Sequence, residues 1–210
     1  MKIHNFLEVG PRPTKIVAVG RNYADHAKEL GNEAPSEPII FLKPPSALLP
    51  HEGTIILPPQ SHRVDHEGEL AIVIGKRARN VKAAAWRDCV RGFTCANDVT
   101  ARDLQKKDVQ FTRGKSFDTF CPLGPWIETE LDPADLSLVA RVNGQIKQNA
   151  RTSMMIFPCS AIIEFITGVM TLEPGDVILT GTPAGVGPLQ SGDTVEVEIE
   201  GIGTLRNHVA

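Results

Sequence analysis

The chain predicts a β-rich α+β fold in a single domain, on three observations. Glycine (18) and proline (16) are plentiful while aromatics are 5% of residues, a composition of many turns between short strands. The apolar runs are mostly short and rich in β-branched residues, several with strict period-2 alternation. Few segments carry helical spacing. At 210 residues the chain can bury one sizeable core. The expected division is an N-terminal extension at 1–15 and one domain at 16–210.

In chain order, 15–20 reads as a buried strand ending at Gly20. Residues 21–31 read as a short helix stopped by Gly31. A polar, proline-containing connector follows at 32–38, then an apolar strand at 39–42 closed by Pro44-Pro45. Residues 67–75 alternate as a strand; 81–88 read as helical, 90–98 as extended, and 99–107 as one or two helical turns. The alternating run 136–142 ends at Asn143-Gly144, a strong hairpin signal. A helix is expected at 158–169 with Ala161, Ile162, Phe165 and Ile166 facing the core and Pro158 near its start. Strands are expected at 177–180 and 194–200. In the last, Val195, Val197 and Ile199 point inward, leaving Glu196, Glu198 and Glu200 as a solvated face.

Composition excludes several classes. Net charge is −3 with no basic stripe, which disfavours nucleic acid as a partner. No apolar run approaches the ~20 residues of a membrane helix, and the N-terminus lacks an apolar signal core. A cytoplasmic location is expected. Cys89, Cys95, Cys121 and Cys159 form no Cys-x-x-Cys pair and read as reduced, mostly buried thiols.

The chemistry centres on His66-Glu67-Gly68-Glu69. In a strand, Glu67 and Glu69 share one face, and like charges there repel. A divalent cation between them resolves the conflict, with Asp98 as a third oxygen donor. Three carboxylates would leave half of an octahedral Mg²⁺ sphere open. The plainer reading is an exposed strand edge. A rival zinc grouping of His62, His66 and Glu67 needs a helix, which Pro58-Pro59 and Gly68 oppose. His26 and Glu29, three apart on the short helix, form a candidate general-base pair or a surface contact. Lys115, beside Gly114, is either a carboxylate or enolate contact or a solvated loop lysine. The loop 181–187 lacks the ending of a phosphate-binding loop; its Thr182 hydroxyl and amides suit a substrate carboxylate. Arg21, Arg113 and Lys115 together suggest a dianionic substrate.

Taken in order, Gly20-Arg21-Asn22-Tyr23-Ala24-Asp25-His26-Ala27-Lys28-Glu29, Phe41-Leu42-Lys43-Pro44, His66-Glu67-Gly68-Glu69-Leu70, Asn97-Asp98-Val99-Thr100-Ala101-Arg102-Asp103, Lys115-Ser116-Phe117-Asp118 and Leu179-Thr180-Gly181-Thr182-Pro183-Ala184-Gly185-Val186-Gly187 resemble the fumarylacetoacetate hydrolase family. The chain is most similar to its short branch, which cleaves acylpyruvates and decarboxylates oxaloacetate. The resemblance implies a mixed-sheet β-roll over 16–210, a homodimer, and Mg²⁺ or Mn²⁺ (Ca²⁺ in crystals) on Glu67, Glu69 and Asp98. It implies that His26 and Glu29 activate water on a segment that orders with substrate, and that Lys115 meets substrate charge. Arg21, Tyr23, Gln105 and Thr182 fall where the family contacts substrate. The expected partner is a small 2-oxo acid. The expected reaction is hydrolysis of an acylpyruvate to pyruvate and a carboxylic acid, with oxaloacetate decarboxylation beside it. The alternatives are an isomerase or tautomerase of oxaloacetate or of 2-hydroxy-diene diacids, and a non-catalytic binding protein.

Overall fold

A computed structural model of the chain describes residues 1–4, 7, 10–29 and 31–210. Leu30, inside the expected first helix, and part of the expected N-terminal extension lie outside the described residues. Among the described residues the fold is strand-rich, with mixed sheets and short helices.

The largest sheet runs β1 (Lys2–His4), β10 (Cys121–Glu128), β8 (Val90–Asn97), β7 (Gly68–Ile74), β13 (Val177–Leu179), β2 (Ile16–Gly20), β3 (Ile39–Lys43), with β4 (Leu48–Pro50) also paired to β10. Both of its faces are covered, so the run Leu70–Ile74 of β7 and the whole of β13 are apolar and buried. Val17, Leu70, Ile72, Ile74 and Ile178 face one cluster; Ile16, Ala18, Ala71, Val73, Val177 and Leu179 face another. The first residues are no loose appendage, since β1 pairs antiparallel with β10. A second sheet of β12 (Gln145–Arg151), β11 (Ser137–Val142), β15 (Thr194–Ile199), β16 (Gly203–Val209) and β5 (Thr54–Ile55) covers the first cluster. A small sheet joins β14 (Gly187–Pro188), β6 (Val64–His66) and β9 (Thr100–Ala101).

The local signals behave as their chemistry requires. Asn143 (φ 52°) and Gly144 (φ 76°) turn the β11–β12 hairpin, both in the left-handed region a tight hairpin needs. On β15 the valines and Ile199 are buried, while Glu196 and Glu198 pair outward with Arg206 and Arg141. The short helix α1 (Ala24–Glu29) closes through Gly31, whose N–H donates to the Lys28 carbonyl at 2.9 Å. Residues 100–101 pair as β9, so α2 (Arg102–Asp108) starts later than 99; α3 (Thr112–Lys115) follows. The segment 83–89 is 3-10 rather than α. The four thiols are buried and free, and burial pushes Cys95, Cys121 and Cys159 up to about 12.

The last helix, α4 (Cys159–Val169), is turned relative to expectation. Its buried residues are Cys159, Ile162, Ile163, Ile166 and Thr167, whereas Ala161 and Phe165 are only half-buried. Thr167 accounts for the rotation: its hydroxyl donates to the Ile163 carbonyl and accepts the Val81 N–H, so a polar residue can occupy the buried face.

Truncating a side chain in the doubly covered strand should cost far more than truncating one on the helix surface. Ile72→Ala (0% exposed) should lower unfolding free energy by about 2–5 kcal/mol. Val169→Ala (56% exposed) should change it by less than about 0.5 kcal/mol. Urea titration of both variants checks the contrast.

Candidate active site

β7 and β8 run antiparallel, with Gly68 opposite Asn97. The pairing continues one residue further, because the Asp98 N–H donates to the Glu67 carbonyl at 2.8 Å. Glu67 and Asp98 thus face each other where two strands end, and Glu69 lies one pleat along on the same face. One oxygen from each of Glu67, Glu69 and Asp98 lies within 4.8 Å of the others, and all three residues are buried.

Fixed cations surround the carboxylates. Lys115 Nζ donates to Glu67 Oε2 and to Asp98 Oδ2, each at 2.6 Å. Lys43 Nζ reaches Asp98 Oδ1 at 2.5 Å. Arg102 bonds Glu67 Oε1 through Nη2 and Asp65 Oδ2 through Nε, the latter at 2.9 Å, and its Nη1 donates to Gln105 Oε1 at 2.7 Å. Burial alone would push Glu67 up, but the Lys115 ammonium and the Arg102 guanidinium outweigh it and hold the carboxyl well below the ordinary range. Burial works against the Lys115 charge too, yet Asp98 and Glu67 raise its pKa above the usual lysine value.

Glu69 is different. Its only hydrogen bond among the described residues is from the Gly181 N–H, at 2.6 Å. Burial first, then the charges of Asp98 and Glu67, push its carboxyl well above the ordinary range. A buried carboxylate without a cation of its own, next to two others, is the donor set of a hard divalent ion. The residues therefore fit such an ion, with Glu67, Glu69 and Asp98 as ligands.

These groups line one cavity of about 280 Å³, just under the usual range for small-ligand pockets. His26, Arg21, Gln105, Lys115 and Thr182 line it as well, with Phe41 and Phe111 as an apolar wall. His26 Nδ1 lies 3.2 Å from Glu29 Oε2. Glu29 in turn accepts the Gly185 N–H at 3.1 Å, which seats α1 against the 181–187 loop. Gly185 (φ +98°) must be glycine, since a Cβ there would overlap the Lys147 carbonyl oxygen.

Several expected residues sit otherwise. Tyr23 does not line the cavity; it is a core side chain whose buried hydroxyl has no hydrogen-bond partner among the described residues. Burial, and then the charge of Glu69, push that hydroxyl further up. Arg113 is half-exposed and paired to Asp108, so it adds no charge to the cavity. Gly114 serves packing rather than ligand approach, because a Cβ would lie 2.9 Å from Gln105 Cβ. The zinc grouping does not form: His62 is exposed, and His66, one residue from Glu67 along a strand, faces a separate cleft with Gly187 and Asp193. Thr182 lines the cavity, but its hydroxyl proton goes to the Gly68 carbonyl at 2.9 Å.

Four buried polar side chains around the carboxylates have no assigned role in the sequence reading, although Lys43 and Arg102 lie within its motifs. Lys43 closes an otherwise apolar strand, and an uncompensated lysine there was the signal. Asp65 extends the alternation to 65, 67 and 69; it accepts Arg63 and Arg102 instead of joining the triad. The contacts of Arg102 with Glu67 and of Gln148 with Gly68 span 35 and 80 residues, so no local spacing points to them.

Residues 15–210 match the family described as Fumarylacetoacetate (FAA) hydrolase C-terminal. The chain belongs to this family of enzymes. It is 47% identical to oxaloacetate decarboxylase of Dictyostelium discoideum, over 96% of this chain and 94% of the relative. It is 45% identical to oxaloacetate tautomerase FAHD1 of Bos taurus, over 91% and 89% of the two chains. Among solved structures, 5-carboxymethyl-2-hydroxymuconate delta-isomerase from Mycobacterium smegmatis superposes with a TM-score of 0.90 at 53% identity, over 95% of this chain and 79% of that one.

Removing one charge separates electrostatic strain from binding. A carboxyl whose pKa folding raises favours the protonated form. Its contribution to stability is present at low pH and lost as pH rises past the ordinary carboxylate range. At pH 8 with EDTA, Glu69→Gln should therefore raise Tm by about 2–4 °C, roughly 1 kcal/mol, and should abolish any further rise that an added divalent cation brings to the parent protein. A lower Tm in EDTA would mean that the Glu69 charge is already balanced.

Proposed function

We propose that this chain is a divalent-cation-dependent enzyme that acts on a small 2-oxo acid through its enolate. The observation that carries this reading is one cavity lined both by the Glu67–Glu69–Asp98 cluster and by His26, whose ring meets Glu29 behind it. Mg²⁺ or Mn²⁺ on those carboxylates, with Ca²⁺ as a possible substitute, would supply Lewis-acid polarisation of the 2-oxo group and stabilise enolate charge.

The chain's own groups do the rest. Lys115, buried and protonated, presents fixed positive charge beside the reacting oxygens. Gln105, held by Arg102, offers its amide, and Arg21 places a guanidinium along the cavity wall. Phe41 and Phe111 exclude water from one side. His26 moves the proton, while Glu29 orients the ring through Nδ1.

For oxaloacetate, the C3–C4 bond breaks, CO₂ leaves and a proton is returned to C3 of the pyruvate enolate. In tautomerisation, the C3 proton is removed and the 2-oxo oxygen is protonated. The names of the decarboxylase and tautomerase relatives support these two outcomes equally. The isomerase name supports a related proton shift in a 2-hydroxy-diene diacid. Acylpyruvate hydrolysis stands as a second reading because of the His26–Glu29 pair, since decarboxylation needs no water-activating base. There a water oxygen bonds to the distal carbonyl carbon, the C3–C4 bond breaks, and the products are a carboxylic acid and pyruvate. Assembly as a homodimer belongs to the same proposal; sedimentation velocity would test it.

Purified protein with Mg²⁺, assayed on oxaloacetate, acylpyruvates and 2-hydroxy-diene diacids, separates the reactions. His26→Ala should slow tautomerisation and acylpyruvate hydrolysis by about 10²–10⁴-fold, with a smaller effect on decarboxylation. Near-parental acylpyruvate hydrolysis would remove His26 as the base. Stripping with a chelator should abolish turnover, and Mg²⁺ or Mn²⁺ should restore it; full activity with no bound cation would refute the carboxylate site. A protein that turns over none of these acids would be a binding protein.

A further inference from the structure

Gln148 lies on β12, an outer strand of the second sheet, yet its side chain is fully buried. Its carbonyl oxygen accepts the Gly68 N–H at 2.9 Å. Its amide nitrogen donates to Thr182 Oγ1 at 2.7 Å and to the Pro183 carbonyl at 2.8 Å. The Thr182 hydroxyl donates onward to the Gly68 carbonyl at 2.9 Å. Gly68 separates the two glutamates. On one side it pairs with Asn97 of β8, while on the other β13 begins its pairing only at Ala71. The Gln148 amide and the Thr182 hydroxyl thus bond the Gly68 N–H and C=O where a neighbouring strand would otherwise do so. A Cβ at Gly68 would lie 3.2 Å from Gln148 Oε1 and 3.3 Å from Val197, so the clamp sits directly on the backbone.

We propose that Gln148 and Thr182 are positioning residues that clamp Gly68 and thereby aim the Glu67 and Glu69 carboxylates at one point. This rests on the divalent-cation reading above, and it assigns the Thr182 hydroxyl to the backbone rather than to substrate. Without the clamp, the Gly68 peptide is bonded along one edge only, and the glutamates lose their common aim. Glu69 is the more sensitive, because its neighbour Gly181 is held in the same loop as Thr182. Supports of this kind are worth about 10–100-fold in metal affinity at known metal sites.

Isothermal titration with Mn²⁺, without substrate, tests the clamp on full-length protein. Gln148→Leu and Thr182→Val should each weaken Mn²⁺ binding by about 10–100-fold. Thr182→Ser, which keeps the hydroxyl, should retain parental affinity. The double variant should lose less than the product of the two single losses, because both residues serve one peptide. Thermal melts in EDTA confirm that each variant is folded; should Gln148→Leu not fold, the Thr182 pair decides alone. Parental Mn²⁺ affinity in folded Thr182→Val overturns the inference, most plainly if only KM for the oxo acid rises. If the parental protein binds no Mn²⁺, the cation reading fails and takes the clamp with it. Loss confined to the variants supports both.

Discussion

The structure turns on gathering several carboxylates in a dry place. Glu67, Glu69 and Asp98 are each nearly inaccessible, and so is Asp65, which shares Arg102 with Glu67. Isolated buried charges are prohibitively unfavourable, so the surrounding elements must deliver cations. Three do so from distant parts of the chain: Lys43 from the end of β3, Arg102 from the start of α2, and Lys115 from the end of α3. The compensation is uneven. Glu67 and Asp98 are paired, but among the described residues Glu69 is met only by a backbone N–H. That imbalance is what makes the three carboxylates a fit for a cation. It also places positive charge where a 2-oxo acid would accumulate negative charge.

Geometry around this cluster is set by backbone contacts as much as by side chains. One step of β12 has two jobs. Gln148 bonds the peptide between the two glutamates, and the neighbouring Lys147 carbonyl leaves room only for a glycine at 185. The N–H of that glycine holds Glu29, and Glu29 holds His26. The His26–Glu29 pair and the carboxylate cluster are therefore referenced to the same strand of the second sheet. This coupling explains how two groups far apart in the chain come to line one small cavity. It also explains the burial of a glutamine on a strand whose other inward residue is an alanine.

How much could be read beforehand depended on the range of the forces. The hairpin at Asn143-Gly144, the inward valines of β15 and the break at Gly31 follow from local backbone preference and period-2 burial, and they appear where the residues put them. The face of α4 differs from the one apolar spacing predicts, because that spacing favours Phe165 and takes no account of Thr167, whose hydroxyl is satisfied within the helix. Arg113 looked like an active-site cation from its neighbourhood in the chain, yet Asp108, five residues away, captures it. Tyr23 sits in a segment full of reactive groups, but its ring is needed in the core.

The sequence alone determined the strand-rich class, the shared face of Glu67 and Glu69, the pairing of His26 with Glu29, and a family resemblance precise enough to point to Asp98 and Lys115. Each is local, or is written in a motif that keeps its order along the chain. The tertiary structure decided which cations compensate which carboxylates, that Glu69 is left without one, and that Thr182 bonds backbone. Those outcomes depend on which residues meet after long stretches of intervening chain. Ion pairing and desolvation are set by that three-dimensional neighbourhood, and no spacing in the chain encodes it.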